Sequence, residues 1–360
     1  MKRLGVSWSL LIAAAFLSAT SFAGANGGKL ERGETSNLLK FRDEGHGVLT
    51  FKIAQFADLH FGEGERTSWG PLQDVNSTRV MRNVLQAERP DFVVFSGDQV
   101  TGNNIHDNAT VYWGQALKPV LEAGYRWSIV FGNHDDLADG TNGHREDLLK
   151  FDTSFPNSYS QFGPRDVHGL SNYYLAIYPP SSSSSDELPP VPLSLLYFLD
   201  SGGGTIPEIV YPDQVEWYIK TSATLQSSYG KALPSLAFFH IPTEQYVNAF
   251  NPQVCFGVQQ DDIAPQQSSN GLLDAFQKMG DVKASFVGHN HGNDWCCPTK
   301  QGIKICYGRH TGYGGYGTWA RGSRIIQIQI EKSSGAWKVQ SWVRMEDGTV
   351  VDGGTIAATP

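Results

Sequence analysis

Five short polar clusters in the sequence combine the residue types that bind divalent metal ions. Each cluster comes directly after an apolar run that predicts a buried strand. Carboxylates, imidazoles and an amide oxygen are typical ligands of borderline divalent metals, whereas thiolates are missing from all five clusters. The clusters are Asp58-Leu59-His60, Gly97-Asp98, Gly132-Asn133-His134-Asp135, His240 and Gly288-His289-Asn290-His291.

Each cluster taken alone has a more ordinary explanation. Gly-Asp after a strand is a common turn, and Gly-Asn-His-Asp could form an Asn-centred turn with a helix-capping Asp. His240 after an apolar run could be a buried core histidine. The cluster at 288–291 is a stronger signal, because alternate residues of an extended segment face the same side. Together, in this order, the five clusters predict a metal site.

Strand and helix patterns alternate through the first half of the chain. Strands are predicted at 48–57, 92–95 and 125–131, and helices at 76–89 and 109–123. This alternation is typical of a largely parallel α/β core, in which ligand sites form at the carboxyl ends of the strands. Every polar cluster in this half lies at such an end.

The second half has further patterns of both kinds. A Pro- and Ser-rich stretch at 179–192 predicts a surface loop within one domain. Two late strands at 324–330 and 337–343 are expected to complete a second sheet. The other elements are strands at 172–178, 193–199, 236–239 and 282–287, and helices at 213–225 and 272–279.

The N-terminus has the pattern of a secretory signal peptide. Lys2 and Arg3 precede an apolar run at 10–17, and small residues follow it. A membrane anchor is the alternative, but the run is too short to span a bilayer comfortably. We therefore predict a signal peptide at 1–25, a single mature domain at 26–360, and a secreted, secretory-pathway or vacuolar location.

The overall charge excludes one class of partner. The formal net charge of -8 argues against a basic surface for binding nucleic acid. We expect no nucleic-acid partner, and no membrane association once the signal peptide has been removed. The oligomeric state is not predicted.

The cysteines and sequons agree with a secretory route. In an oxidising compartment the four cysteines predict two disulfides. A bond between the adjacent Cys296 and Cys297 is strained, which leaves two possible pairings. A cysteine zinc site is the alternative, but no Cys-x-x-Cys pair is present. Sequons at Asn76 and Asn108 predict N-glycosylation. The cysteines are Cys255, Cys296, Cys297 and Cys306.

The order of the five clusters resembles the motifs of the calcineurin-like metallophosphoesterase superfamily, and within it the purple acid phosphatase branch. The resemblance extends over residues 58–291. It implies an α/β fold in which a β-sandwich of two mixed sheets is flanked by helices. It also implies two divalent or mixed-valence metal ions (Fe, Zn or Mn) and a phosphate ester substrate.

The resemblance also implies a role for individual residues. His134 is expected to contact the substrate phosphate or to protonate the leaving oxygen, oriented by Asp135, and Asn133 is expected to contact the substrate too. His310 and Tyr313 follow the last ligand pair and are predicted to line the substrate cleft. The implied metal ligands are Asp58, His60, Asp98 and His291 for one ion, and Asp98, Asn133, His240 and His289 for the other.

The expected reaction is phosphomonoester hydrolysis by a hydroxide that bridges the two ions. The same centre also serves phosphodiesterases, nucleotide pyrophosphatases and protein phosphatases, so these remain alternatives. Thr101 stands where purple members carry a metal-binding tyrosine, so the resemblance implies neither a tyrosinate-bound ferric ion nor a purple colour. A catalytically silent binding protein is the third alternative.

Overall fold

The computed structural model describes residues 38–180 and 190–359. The predicted signal peptide at 1–25 and most of the predicted loop at 179–192 lie outside these residues. The single domain at 26–360 and the cellular location stay predictions. No helix in the described part of the chain is long and apolar enough to cross a bilayer.

Strands and helices are distributed along the whole of the described chain. The strands are β1 (Leu39–Lys40), β2 (Arg42–Asp43), β3 (Val48–Phe56), β4 (Phe92–Ser96), β5 (Trp127–Val130), β6 (Tyr173–Tyr178), β7 (Ser194–Phe198), β8 (Ser235–Phe238), β9 (Val282–Val287), β10 (Cys296–Pro298), β11 (Lys304–Tyr307), β12 (Gly322–Glu331), β13 (Trp337–Met345) and β14 (Val350–Thr359). The α-helices are α1 (Gly70–Glu88), α2 (Ala109–Glu122), α3 (Arg145–Thr153), α4 (Pro212–Tyr229) and α5 (Leu272–Met279).

The strands form two seven-stranded mixed sheets. The first sheet has the order β14-β13-β12-β3-β4-β5, with β2 also paired to β3. The second sheet has the order β1-β6-β7-β8-β9-β11-β10. The predicted fold of two mixed sheets flanked by helices is therefore confirmed.

The core lies between the two sheets and beneath the helices. Phe51 and Phe92 of the first sheet share one apolar cluster with Phe198 and Phe238 of the second. On the outer face of the first sheet, α1, α2 and α3 contribute to a second cluster, and α4 and α5 contribute to a third cluster on the second sheet. Covering both faces explains why the central strands read as continuous apolar runs.

The late strands differ from the prediction in their partners. β12 pairs antiparallel with β3, from Arg324 opposite Gln55 to Glu331 opposite Val48, and β13 and β14 continue outward from it. The expectation that the late strands complete a second sheet is wrong, because they extend the first sheet beside the first long strand. The apolar pattern predicts a strand but does not specify a partner that is distant in sequence.

The ends of several other elements also differ from the prediction. The helix expected at 76–89 begins at Gly70, where Pro71 occupies the first turn, a favoured place for proline. The short helix α3 and the strands β10, β11 and β14 are not predicted. By contrast, α5 and β9 occupy the predicted residues.

The cysteines form two disulfides, as predicted. The bonds are Cys255–Cys297 and Cys296–Cys306, so the structure selects one of the two open pairings and excludes a cysteine zinc site. The antiparallel register of β10 and β11 places Cys296 opposite Cys306 and Cys297 opposite Ile305. Neighbouring strand residues face opposite sides, so Cys296 and Cys297 bond in opposite directions.

Two double variants test this pairing. Cys255→Ala with Cys297→Ala removes one whole bond, so denaturing thiol titration is expected to find no free thiol. Cys255→Ala with Cys296→Ala removes one partner from each bond and is expected to leave two free thiols. The reverse result would contradict the pairing, because it requires Cys297 to bond Cys306 across the sheet.

Candidate metal centre

The five polar clusters lie together at one end of the sandwich. In the first sheet they follow β3, β4 and β5, which run parallel, and in the second they follow β8 and β9, which are also parallel. The carboxyl ends of parallel neighbours share an edge, so each sheet brings its own loops together. Side chains from both sheets then meet in two groups of candidate metal ligands.

The first group contains Asp58, His60 and His291. Their ligand atoms all lie within 4.8 Å of one another, and the three side chains are buried. The Nε2 atoms of His60 and His291 are 3.2 Å apart, and Oδ1 of Asp58 is 3.8 Å from Nε2 of His291. This group therefore joins the loop after β3 to the loop after β9.

The second group contains Asp98, His240 and His289, again with ligand atoms within 4.8 Å of one another. The amide oxygen Oδ1 of Asn133 lies 3.1 Å from Nε2 of His240 and 2.9 Å from Nδ1 of His289. The structure thus brings together the four residues predicted as the second ligand set.

Asp98 lies between the two groups. Its Oδ2 atom is 3.2 Å from Nε2 of His240 in the second group and 3.6 Å from Nε2 of His60 in the first. Its other oxygen, Oδ1, accepts a hydrogen bond of 2.8 Å from the backbone N–H of His134. One carboxylate oxygen of Asp98 therefore lies close to an imidazole from each group.

The chemistry of these groups fits divalent cations. Nδ1 of His240 donates to the carbonyl of Ser96, and Nδ1 of His291 donates to the carbonyl of Tyr316, each at 2.9 Å. In the neutral rings Nε2 then presents its lone pair to the centre, where the carboxylate of Asp98 adds further acceptor oxygens. Buried acceptors that face one another need a cation between them, and nitrogen and oxygen donors suit iron, zinc or manganese.

The pKa values in the second group differ from ring to ring. Burial lowers the pKa of His289 to about 3, and His240 contributes to this shift. Burial also disfavours a charge on His240, but the carboxylate of Asp98 outweighs this effect and raises the pKa of His240 to about 9. Metal binding requires neutral imidazoles, so a metal ion bound to His240 would have to displace its proton.

In the first group, burial lowers the pKa of both imidazoles, His60 and His291, and raises the pKa of the carboxyl group of Asp58. Burial lowers the pKa of His291 to about 3, so its Nε2 is available to a metal at neutral pH. Burial raises the pKa of Asp58 to about 7, and the charge of Asp98 adds to this shift. A cation nearby would favour the ionised carboxylate and reverse the shift.

Four of the candidate ligands have a left-handed backbone. Asp58, His60, Asp98 and His289 have φ values of 57°, 55°, 53° and 77°. They are four of the seven non-glycine residues with positive φ in the described chain. Each such residue costs on the order of 1–2 kcal/mol. Because these residues lie in one place, we infer that the loops tolerate backbone strain there, and that this backbone directs the candidate ligand side chains towards the centre.

Two glycines allow the loops to approach one another. A Cβ on Gly97, which has a φ of 99°, would lie 2.2 Å from Nδ1 of His240. A Cβ on Gly132 would lie 2.1 Å from Oδ1 of Asp98. Neither side chain could move aside without leaving its group, so both positions require glycine.

Comparison with known proteins identifies the family. The profile of the calcineurin-like phosphoesterase family matches residues 51–293, which is more than half of the chain and contains all five clusters. The chain belongs to the calcineurin-like phosphoesterase family.

The chain also resembles curated proteins along most of its length. It is 32% identical over 329 residues to probable inactive purple acid phosphatase 29 of Arabidopsis thaliana, covering 82% of each chain. It is 33% identical over 340 residues to phosphatase DCR2 of Saccharomyces cerevisiae, covering 85% of this chain but 55% of that protein. The chain is therefore homologous to purple acid phosphatase-like proteins.

A solved structure shares the fold. Purple acid phosphatase from yellow lupin (Lupinus luteus) seeds aligns with a TM-score of 0.51 and 16% identity, covering 86% of this chain and 54% of that one. At this identity the likeness concerns the arrangement of the sheets and helices.

His134 lines the cleft above the two groups, but Asp135 does not orient it. Nδ1 of His134 is 3.4 Å from Oδ1 of Asn103, whereas Asp135 is fully buried. The prediction that Asp135 aims the His134 ring is wrong, because its oxygens face the interior and accept from backbone groups. The donors are the N–H groups of Asp98, Val100 and Gly132.

Neither His310 nor Tyr313 is among the residues that line the cleft. His310 is fully buried, with its ring centroid 3.9 Å from that of His291, and it hydrogen-bonds the carbonyl of Gly314. The hydroxyl of Tyr313 donates to Glu346. The predicted place of these residues on the cleft wall is wrong, because one packs behind a candidate ligand and the other faces away.

Thr101 supports a candidate ligand. Its Oγ1 atom lies 2.9 Å from Nδ1 of His60, and the side chain is buried. A partner on Nδ1 fixes the orientation of an imidazole whose other nitrogen binds a metal. In the sequence this position is visible only as a missing tyrosine, but in the structure its hydroxyl steers Nε2 of His60 towards His291.

A buried arginine behind the Asn133–His134 loop is also missed by the sequence analysis. Arg145 contacts Oδ2 of Asp136 at 3.1 Å and Oδ1 of Asp200 at 2.8 Å, and donates to the carbonyl of Gly132. It thereby ties the loop after β5 to the loop after β7 and gives Asp136 a role. The sequence does contain one indication of this ion pair, because Asp200 follows an apolar strand as the predicted ligands do.

We expect Arg145→Met to lower the free energy of unfolding by about 3–5 kcal/mol, because Asp136 and Asp200 lose their buried countercharge. Urea denaturation measures this change. Arg66→Met, on an exposed arginine, is the control and should change it by less than about 1 kcal/mol. Neutralising both carboxylates with Asp136→Asn and Asp200→Asn should recover part of the loss, and a lack of effect of Arg145→Met would contradict this role.

Proposed function

We propose that this phosphoesterase is a metal-dependent phosphomonoesterase that uses two metal ions. The observation that supports it best is the position of Asp98 Oδ2, which lies within reach of one imidazole from each group. The expected ligands are the two sets named from the sequence, which are close together here. The finer assignment is supported by this geometry and by membership of the calcineurin-like phosphoesterase family.

The protein side chains have separate tasks in this mechanism. Two bound ions would polarise the phosphoryl oxygens as Lewis acids. They would also lower the pKa of a bound water to near neutrality, so that it could act as hydroxide. Asn133 would help to position the phosphate at the second group. His134 lies on the cleft wall with its backbone held by Asp98, so its ring can protonate the departing alkoxide.

Asp98→Asn tests the proposed function. It keeps the size of the side chain but removes the charge between the groups, so hydrolysis of a generic aryl phosphate should fall by more than about 100-fold. Chelation should abolish the activity and lower the melting temperature, since ligands that bind the folded state stabilise it. Asp274→Asn, an exposed change on α5, is the matched control. Hydrolysis that survives both the chelator and Asp98→Asn would rule out the proposal.

His134→Ala separates metal binding from turnover. The variant should retain the metal content of the parent protein, because His134 belongs to neither ligand group. Its kcat should fall by about 100-fold or more with alcohols that are poor leaving groups, and less with an aryl phosphate, whose leaving group needs no proton. Equal losses on both esters would exclude the role of proton donor.

A second candidate function is ligand binding without turnover. It is favoured by the word "inactive" in the name of the Arabidopsis relative and by threonine at position 101. Metal analysis separates the two, because less than about one equivalent after careful reconstitution favours the silent protein. Rates on monoester, diester and phosphoprotein substrates separate the phosphomonoesterase from the diesterase, pyrophosphatase and protein phosphatase alternatives.

We also propose that the protein follows the secretory route. The two disulfides support this, since such bonds persist in oxidising compartments. Glycosylation at Asn76 and Asn108 stays a prediction.

A further inference from the structure

The cleft above the candidate metal groups has a volume of about 410 Å³ and an uneven distribution of charge. Apart from the proposed ligands and His134, its wall consists of neutral residues such as Asn103 and Tyr316 and one charged side chain, Glu63. No lysine or arginine from the described residues lines it. Outside the proposed ligands, the wall therefore offers a substrate one carboxylate, and His134 is the one basic group among its lining residues.

The carboxylate of Glu63 is held close to the first group. Its Oε2 atom accepts a hydrogen bond of 2.7 Å from the backbone N–H of Gly315. The backbone at Gly315 passes directly over two ligand rings, since a Cβ there would lie 2.5 Å from Cε1 of His291 and 2.7 Å from Cδ2 of His60. Glu63 is thus held on the cleft wall beside the two imidazole rings of the first group.

More carboxylates lie beyond Tyr316 on the same side of the cleft. The hydroxyl of Tyr316 donates to Asp261, which also accepts from the backbone N–H of Gly292. Asp261 and Asp262 line an adjacent depression, to which no lysine or arginine of the described chain contributes. The region around the cleft is therefore acidic on this side as well.

The nearest arginine in the sequence does not offset Glu63. The guanidinium of Arg66 pairs with two other carboxylates. Its Nε atom is 3.5 Å from Glu65 and its Nη2 atom is 3.7 Å from Asp107. A second negative charge on the substrate would therefore meet repulsion near Glu63, whereas a positive charge would be attracted.

We propose that Glu63 determines specificity by selecting phosphate monoesters whose alcohol portion carries a positive charge, such as amino-alcohol phosphates. This inference rests on the phosphomonoesterase function proposed above. The phosphate contributes its negative charge to the metal centre, and the ammonium group of the alcohol lies towards Glu63. Esters whose alcohol portion is neutral are expected to have a lower kcat/KM, and esters whose alcohol portion carries a negative charge the lowest.

Three esters of similar size provide the test: phosphoethanolamine, glycerol 3-phosphate and 3-phosphoglycerate. For the metal-loaded protein, kcat/KM is expected to fall in that order. Glu63→Gln keeps an acceptor for Gly315 but removes the charge, so the ratio of the first ester to the third should fall by about two- to fivefold. Raising the salt concentration should lower the same ratio in the parent protein.

Glu216→Gln is the matched control, because it removes the same charge from an exposed position on α4. Its ratio should equal that of the parent. A parent ratio near one, or a ratio that Glu63→Gln leaves unchanged, would overturn the inference even if aryl phosphate is hydrolysed.

Calorimetric Kd values replace kcat/KM if the esters are bound but not turned over. The expected order of affinities without any hydrolysis of aryl phosphate would support the role of Glu63 while contradicting the proposed function. Equal affinities would contradict the role of Glu63. The two proposals therefore fail on different results.

Discussion

The structure depends on keeping buried carboxylates close together. Burial and the charge of Asp98 raise the pKa of Asp135 to about 7, and burial raises that of Asp58 similarly. Each carboxylate accepts a backbone N–H from a different loop: Asp58 from His289, Asp98 from His134, and Asp135 from Asp98. The groups that repel one another are thus also the groups that hold the loops in register.

A second layer of charge supports this arrangement from behind. Arg145 is almost fully buried, with its guanidinium 5.0 Å from the centroid of the Phe131 ring and both Asp136 and Asp200 against it. It neutralises two carboxylates that belong to neither candidate ligand group. The loop after β5 is therefore held on one side by the candidate ligands and on the other by an ion pair, which explains how Asn133 and His134 keep distinct directions.

Much of the centre could be predicted because each candidate ligand follows an apolar strand, which is a local sequence pattern. Where such strands pair in parallel, their carboxyl ends lie at the same edge of the sheet, so the ligands come close together. The helix Leu272–Met279 has both of its predicted ends, and the structure shows a glycine in the left-handed conformation at each of them. The predicted contact between Asp135 and the His134 ring is wrong because neighbouring residues on a tight loop can face opposite sides. The sheet joined by β12, the burial of His310 and the role of Arg145 depend on contacts between distant residues, which local patterns do not encode.

The candidate centre draws on residues that are widely separated in sequence, from Asp58 to His291. His60 and His291 of the first group are 231 positions apart in sequence, and they come from different sheets. Neither ligand group can close until β9 and the loop after it have been synthesised and docked. Both groups are therefore complete only late in folding, and a metal ion that needs all of these side chains would bind only after that stage.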